Sequence, residues 1–183
     1  MMARRLFVLG FAAALLTAFG CSNNDNGGTT APALSCTDGG GVGANAVNMN
    51  CAGALDSVTE QVDVVMGGPE VAATTLRGLN FDVTFDPAKL TFVPAANYTS
   101  PLFPNALVAV SLSQAGRVVA SIQQTGGDPA VTVPAGSNVV LSLTFQRASG
   151  ATFGPTPLTL QNTEATSPST AIAFASGLAL SYQ

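Results

Sequence analysis

Histidine and tryptophan are absent from this sequence, and only 9% of its 183 residues are charged. Without histidine, the chain cannot build a Ser-His-Asp or Cys-His nucleophile system, a histidine general base or a histidine-ligated zinc site. The missing tryptophan removes one of the two side chains that commonly stack on sugar rings. These absences favour a protein that is not an enzyme, and no cofactor is expected.

Apolar residues, in contrast, make up 47% of the chain. The polar remainder is mostly serine, threonine, asparagine and glutamine, so the composition is neither that of a charged disordered chain nor that of collagen. A length of 183 residues accommodates one domain with short appendages. The sequence therefore predicts a single folded domain with a substantial apolar core.

The first twenty residues have the features of an export signal. Two arginines precede an apolar run over residues 6–16, which is too short to span a bilayer as a permanent helix. A glycine stands directly before Cys21, an arrangement that resembles a bacterial lipoprotein signal. The resemblance implies removal of residues 1–20, diacylation of Cys21 and attachment to the cell membrane or the outer membrane, outside the cytoplasm. The alternative is ordinary signal-peptidase cleavage nearby, with Cys21 left as a spare thiol.

The lipid-bearing Cys21 would begin a segment, residues 21–33, that is otherwise rich in glycine, asparagine and threonine. Such residues have little to bury, so this segment is predicted to be a flexible tether. Without residues 1–20, four basic side chains remain against ten acidic ones, which gives a net charge of −6. An acidic surface repels phosphate backbones, so nucleic-acid binding is not expected.

The two remaining cysteines, Cys36 and Cys51, belong to a chain that is predicted to be exported, where thiols tend to oxidise. A disulfide between them would contribute on the order of 3 kcal/mol in the chain-entropy model. The alternative is two unpaired buried cysteines, whereas two thiols without histidine cannot complete a metal shell. Residues 34–55, which contain both cysteines and many Gly and Asn residues, are predicted to be an irregular segment pinned to the domain.

From residue 56 to residue 183 the hydrophobic pattern changes to a period of two. The clearest examples are residues 79–85 and residues 139–145, in which apolar and polar side chains alternate. Further candidate strands cover residues 90–93, 106–113, 117–123, 158–161 and 171–182, separated by Gly, Pro and Asp turn residues. Apolar and polar residues alternate in these strands, and no stripe of apolar residues at helical spacing occurs between them. This pattern predicts an all-β, antiparallel β-sandwich of jelly-roll type, whose core includes Phe81 and Phe85.

The order of three segments resembles the cohesin domains. Residues 78–92 form an alternating apolar strand that ends in an Asp-Pro turn and is followed by a short second strand. Residues 117–145 resemble the later cohesin strands and their connecting loop, and residues 175–180 are similar to the closing strand. The resemblance implies a cohesin-like sandwich over residues 56–183.

Cohesins bind dockerins, small calcium-binding helical modules, through one face of the sandwich. The resemblance implies that this face includes the hairpin over residues 106–123 and that the chain is a non-catalytic binding module with a dockerin-type partner. The candidate partner-binding residues, which are the polar residues expected to point outward on this hairpin, are Ser111, Ser113, Ser121 and Gln123.

Two other functions remain open at the level of sequence. One is the binding of a polysaccharide, because the cohesin sandwich resembles several carbohydrate-binding modules. Tyr98 is then the candidate stacking residue, with hydrogen bonds from Asn97 and Asn105. The other is a structural lipoprotein of the cell envelope that recruits no partner.

The acidic residues show neither catalytic nor metal-binding spacing. No pair of carboxylates is placed as glycoside hydrolysis requires. Five aspartates could supply oxygen ligands to calcium, but no Asp-x-Asp-x-Asp loop occurs in the sequence. No metal site is therefore predicted from these five residues, which are Asp56, Asp63, Asp82, Asp86 and Asp128.

Overall fold

The computed structural model describes residues 33–38, 42–68, 75–152, 154–166, 173–174 and 178–182. The chain separates into two units, residues 1–30 and 31–183, and every described residue lies in the second. The predicted export signal, the lipid site at Cys21 and all but the last residue of the predicted tether fall outside the described residues. Among the described residues, no helix is long and apolar enough to cross a bilayer.

The described part of the chain contains thirteen β-strands and no helix. In chain order they are β1 (Leu34–Thr37), β2 (Ala46–Ala54), β3 (Thr59–Gly68), β4 (Thr75–Leu76), β5 (Gly78–Thr84), β6 (Leu90–Val93), β7 (Ala106–Gln114), β8 (Arg117–Gln124), β9 (Val131–Thr132), β10 (Gly136–Arg147), β11 (Thr156–Ala165), β12 (Ala173–Phe174) and β13 (Leu178–Tyr182).

The strands form two main sheets and one small one. The six-stranded sheet has the order β1-β13-β11-β5-β8-β7, and the five-stranded sheet has the order β12-β2-β3-β10-β6. Strands β4 and β9 pair separately. All neighbours are antiparallel except β12 and β2, which are parallel. The predicted antiparallel β-sandwich is thereby confirmed.

The core lies between the two main sheets, and it follows from the alternation in the sequence. Leu79, Phe81 and Val83 of β5 are buried in one cluster with side chains of β10, such as Leu141 and Leu143. Residues at odd positions of these strands turn inward because successive side chains of a strand point to opposite faces. The predicted burial of Phe81 is confirmed, as is that of Phe85, which contacts Phe145 edge to face.

The prediction that residues 34–55 are irregular is wrong, because β1 and β2 lie within them. Val47 and Met49 of β2 are fully buried, and Leu34 of β1 joins the same core. The strand was difficult to recognise because it contains asparagines, which are depleted in β-strands. Asn48 and Asn50 alternate with the buried Val47 and Met49, so β2 keeps the period of two. The sandwich therefore begins near residue 34 rather than at residue 56.

The predicted disulfide between Cys36 and Cys51 is confirmed, with the two Cα atoms 5.8 Å apart. Cys36 lies in β1 of the six-stranded sheet, and Cys51 lies in β2 of the five-stranded sheet. The bond consequently joins the two layers of the sandwich.

The predicted single strand over residues 171–182 is wrong, since two strands are found there. β12 pairs with β2 in the five-stranded sheet, and β13 pairs with β1 and β11 in the six-stranded sheet. Both segments are apolar, so hydrophobicity alone did not reveal that the chain changes sheets between them.

Glu60 is the one acidic residue of β3 that faces the interior. It lies opposite Phe145 of β10 in the strand register and is buried, and this desolvation raises the pKa of its carboxyl group above the ordinary value of 4.5. The folded protein therefore binds the Glu60 proton more tightly than the unfolded chain does. The stability that this protonation contributes is present below about pH 4.5 and is lost as the pH rises through the raised pKa.

Replacing Glu60 with glutamine is expected to stabilise the protein at neutral pH, because a neutral side chain avoids the cost of desolvating a carboxylate. The measurement is the difference in free energy of unfolding between wild type and Glu60→Gln as a function of pH, which cancels the other titrating groups. The difference should shrink toward zero as the pH falls through the raised pKa. Glu164→Gln, at an exposed position of β11, is the control for the glutamate-to-glutamine exchange itself. A pH-independent difference for Glu60→Gln would contradict the interpretation.

Candidate protein-binding face

The outward face of four neighbouring strands of the six-stranded sheet forms an open surface, which we call the platform. On β8, Val118, Ala120 and Ile122 are buried in the core, so the intervening residues point outward. Directly opposite residues of paired strands share a face, and the registers of β7, β5 and β11 extend the same surface. The platform residues are Leu107, Ala109, Ser111, Arg117, Val119, Ser121, Gln123, Asn80, Asp82, Thr84, Thr159, Gln161 and Glu164.

Three of the four predicted partner-binding residues lie on the platform. Ser111, Ser121 and Gln123 occupy outward positions of β7 and β8. Ser121 is already engaged, because its hydroxyl donates a hydrogen bond to Asn80 Oδ1 at 2.7 Å. Ser113 is placed differently: it lies in a β-bulge at the end of β7, where its hydroxyl donates to the carbonyl oxygen of Arg117 at 3.3 Å.

A charged network occupies the middle of the platform. Arg117 donates from Nε and Nη2 to Asp82 Oδ2, at 3.1 Å and 2.6 Å, and Asn162 Nδ2 donates to the same oxygen. These neighbours cover Asp82, which is only 4% exposed although it points away from the core. From the sequence, Asp82 was a candidate calcium ligand, whereas in the structure its carboxylate accepts hydrogen bonds from an arginine and an asparagine amide.

The backbone of β11 is distorted where it reaches this network. The register with β5 shifts between Gln161 and Glu164, and Asn162 has a φ angle of 50°, in the left-handed region that asparagine tolerates better than most residues. The bulge places the side-chain amide of Asn162 within hydrogen-bonding distance of the Asp82 carboxylate. No feature of the hydrophobic pattern marked this position, although an asparagine in the polar run over residues 161–164 is compatible with a bulge.

An exposed leucine lies on the same face. Leu107 of β7 is 70% exposed and stands opposite Gln123 of β8. Val119, two positions from Ser121 along β8, is half-buried on the same surface. The platform therefore combines apolar contact area, hydroxyl and amide groups and one arginine-carboxylate pair. The candidates chosen from the sequence were all polar, so Leu107 was missed. Leu107 is an even number of residues from Ser111 on β7, so the alternation of the strand places it on the same outward face.

Tyr98, the candidate for carbohydrate stacking, lies at a different place, beside the outer side of the five-stranded sheet. With Asn97, Gln61, Ser142 and Thr144 it lines an open groove of about 260 Å³. Its ring is half-buried against the core, and its hydroxyl oxygen accepts a hydrogen bond from the backbone N–H of Ala95. Asn105, in the turn before β7, is not among the residues that line this groove. Carbohydrate binding by Tyr98 remains a prediction.

The five aspartates considered for calcium do not converge. Asp56 accepts a hydrogen bond from the backbone N–H of Val58, and Asp86 accepts one from the backbone N–H of Ala88. The bond from Val58 is the main cause of the lowered pKa of Asp56. Asp63 accepts from Ser142, and Asp128 accepts from Thr125. Across the described ranges, no group of three metal-ligating side chains is found.

Comparison with known proteins identifies the fold. No protein-family model and no curated protein sequence matches this chain. Among solved structures, the cohesin CaCohA2 from Clostridium acetobutylicum is 17% identical, with a TM-score of 0.53 over 72% of this chain and 88% of that one. The sixth cohesin of scaffoldin B from Acetivibrio cellulolyticus is 14% identical, with a TM-score of 0.52 over 70% of this chain and 94% of that one.

The chain has a cohesin fold. A third example is a non-cellulosomal cohesin from the archaeon Archaeoglobus fulgidus, with 16% identity and a TM-score of 0.51 over 70% of this chain and 83% of that one. The predicted resemblance to cohesins is thereby confirmed at the level of fold. At these identities the likeness concerns the arrangement of strands, and the chemistry of this cohesin-fold chain depends on its own residues.

Proposed function

We propose that this cohesin-fold chain is a non-catalytic module that binds a dockerin-type protein on the platform. The scaffoldin B cohesin and CaCohA2 are both known in complexes, the former with the Cel5 dockerin and the latter with CaDoc0917. The single observation in this chain that carries the proposal is the open platform, on which the exposed Leu107 and the Arg117–Asp82 pair lie on the same face of the sheet.

The composition of the platform is suited to binding a protein. Large apolar side chains and arginines supply most of the binding energy in protein interfaces, and polar neighbours exclude water around them. Leu107 offers apolar area that an approaching partner would bury, while Gln123 opposite it and Ser111 further along β7 offer hydrogen-bonding groups. The Arg117–Asp82 pair holds the centre of the surface in one arrangement before binding, which lowers the entropy cost of association.

We further propose that the module is displayed outside the cytoplasm by lipid on Cys21. The support is the sequence alone: a positively charged start, a short apolar run and a glycine directly before Cys21. Acylation would hold the domain at a membrane, and the glycine-rich and asparagine-rich residues that follow would let it reach a partner.

Replacing Leu107 with aspartate is expected to weaken partner binding about a hundredfold, because it removes a buried apolar contact and adds a desolvated charge. The folded state should be unaffected, since Leu107 is exposed. The partner is first recovered from the secreted proteins of the source organism on the immobilised chain in calcium, eluted with a chelator and identified by mass spectrometry. Its affinity for wild type and variant is then measured by calorimetry.

Leu55→Asp is the matched control, because Leu55 is also a strongly exposed leucine but lies just after β2, which belongs to the other sheet. It should bind the partner as wild type does. Recovery of no dockerin-bearing protein, or equal loss in both variants, would overturn the proposal. Retention of the chain on a polysaccharide, abolished by Tyr98→Ala, would instead assign binding to the groove around Tyr98.

A further inference from the structure

Strand β7 forms one edge of the six-stranded sheet. It pairs with β8 on one side, and within the described residues no strand pairs with it on the other. Its sequence, ALVAVSLSQ, contains no charge and no proline, two of the devices that protect sheet edges from pairing with another chain. The only irregularity is the bulge between Leu112 and Gln114, near its end. Residues 106–112 are therefore a regular, unprotected edge.

The direction of the backbone groups on this edge follows from one hydrogen bond. The N–H of Ala106 donates to the carbonyl oxygen of Phe103, so it points away from β8. Backbone groups alternate between the two sides of a strand, so the N–H and C=O groups of Val108, Val110 and Leu112 also point away from β8. The intervening residues of β7 make the hydrogen bonds to β8.

The side chains of the same three residues are only partly covered. Val108 and Val110 are half-buried against the core, and Leu112 is 51% exposed although it shares their inward side. An additional strand at this edge would cover all three side chains and satisfy their backbone groups. Burial of this kind is favourable in proportion to the apolar area removed from water.

We propose that β7 is a homodimer interface, in which two copies of this chain pair their β7 strands antiparallel about a two-fold axis at Val110. Val110 then faces Val110 of the second copy, and Val108 faces Leu112, so every outward-pointing backbone group meets a complementary one. An axis at residue 109 would pair Leu112 with Ala106, whose N–H is already bonded to Phe103. An axis at residue 111 would pair Val108 with Gln114, which lies beyond the bulge.

A second copy fits this edge better than a charged partner does. Each copy carries more acidic than basic residues, yet no charged side chain lies within β7, so the paired strands place no like charges opposite each other. The contact uses the same strand of both copies, so it closes after two and does not propagate. This inference concerns the edge of the sheet and does not depend on the proposed partner of the platform.

Cysteine crosslinking tests the register. In the full chain with Cys21→Ser, Val110→Cys should form a covalent dimer under mild oxidation, because hydrogen-bonded opposite residues have Cα atoms about 5.5 Å apart, within disulfide range. Val108→Cys is the matched control: its equivalent in the second copy would lie about 14 Å away along the strands, four residues at about 3.4 Å each. Covalent dimer on a non-reducing gel from Val110→Cys alone is the expected result. Equal yields from the two variants, or none from either, would overturn the register.

Sedimentation equilibrium tests the association itself. The chain with Cys21→Ser should form a reversible dimer. Adding Leu112→Lys should raise the dissociation constant of this dimer at least about tenfold, because the apolar contact made by the leucine is lost. Leu55→Lys changes a comparably exposed leucine away from the edge and should leave the dimer intact. A monomer at all concentrations tested, or equal effects of the two lysine variants, would overturn the proposal.

Discussion

Replacing Phe145 with alanine is expected to lower the free energy of unfolding by about 3–5 kcal/mol, the usual cost of truncating a buried phenylalanine. Phe145 is fully buried in β10, where its ring contacts Phe85 edge to face at 5.3 Å and Phe92 at 5.8 Å between ring centroids. The cavity would remove both contacts. Such a loss is a large share of the total stability of a typical domain, which is about 5–15 kcal/mol.

Urea denaturation followed by circular dichroism measures this loss. Phe145→Leu keeps most of the apolar volume, so it should cost clearly less than Phe145→Ala. Thr159→Ala, at an exposed position of β11, is a surface control that should change stability by less than about 0.5 kcal/mol. A loss below about 1 kcal/mol for Phe145→Ala would mean that the aromatic cluster does not form as described.

Removing the disulfide with Cys36→Ala and Cys51→Ala together is expected to cost about 3 kcal/mol, because the bond closes a loop with a sequence separation of 15 residues. The bond also connects β1 to β2 across the core. The unfolded chain regains conformational freedom when the link is absent, while the two strands keep their backbone pairing partners in the folded state.

The same denaturation measurement, made with and without a reductant, isolates the covalent contribution. Reductant should shift the wild-type midpoint by about as much as the double substitution does, and it should have no effect on the double variant. An unchanged wild-type midpoint after complete reduction, verified by thiol titration, would show that the bond contributes little to stability.

Much of the sandwich was predictable because its physical signal is local. In β5, Leu79, Phe81 and Val83 alternate with polar residues, and a strand with one buried face requires that alternation. The disulfide was predictable for a different reason: in a chain that is predicted to be exported, two cysteines tend to oxidise and pair. β2 escaped prediction because Asn48 and Asn50 disfavour strands locally, and the pairing with β3 outweighs that preference.

The candidate site was predictable only in part. Alternation put Ser111, Ser121 and Gln123 on one surface, because the face of a residue follows from its position along a strand. The link between Asp82, Arg117 and Asn162 joins three strands that are up to 80 residues apart in sequence. Such a contact depends on the order of strands in the sheet and on a bulge, and neither is encoded in the local pattern.

The position of the disulfide has a mechanical consequence. Leu34 and Tyr182 are opposite each other at the same end of the β1–β13 pair, a geometry in which tension on the chain ahead of Leu34 would peel β1 away one residue at a time. Only Leu34 and Ser35 precede Cys36 in that strand, so peeling stops almost at once and the load passes through the sulfur bridge into β2. A pulled domain would therefore resist tension through β2, which pairs with β3 in the opposite layer, and reduction would convert it into a domain that unravels from its first strand.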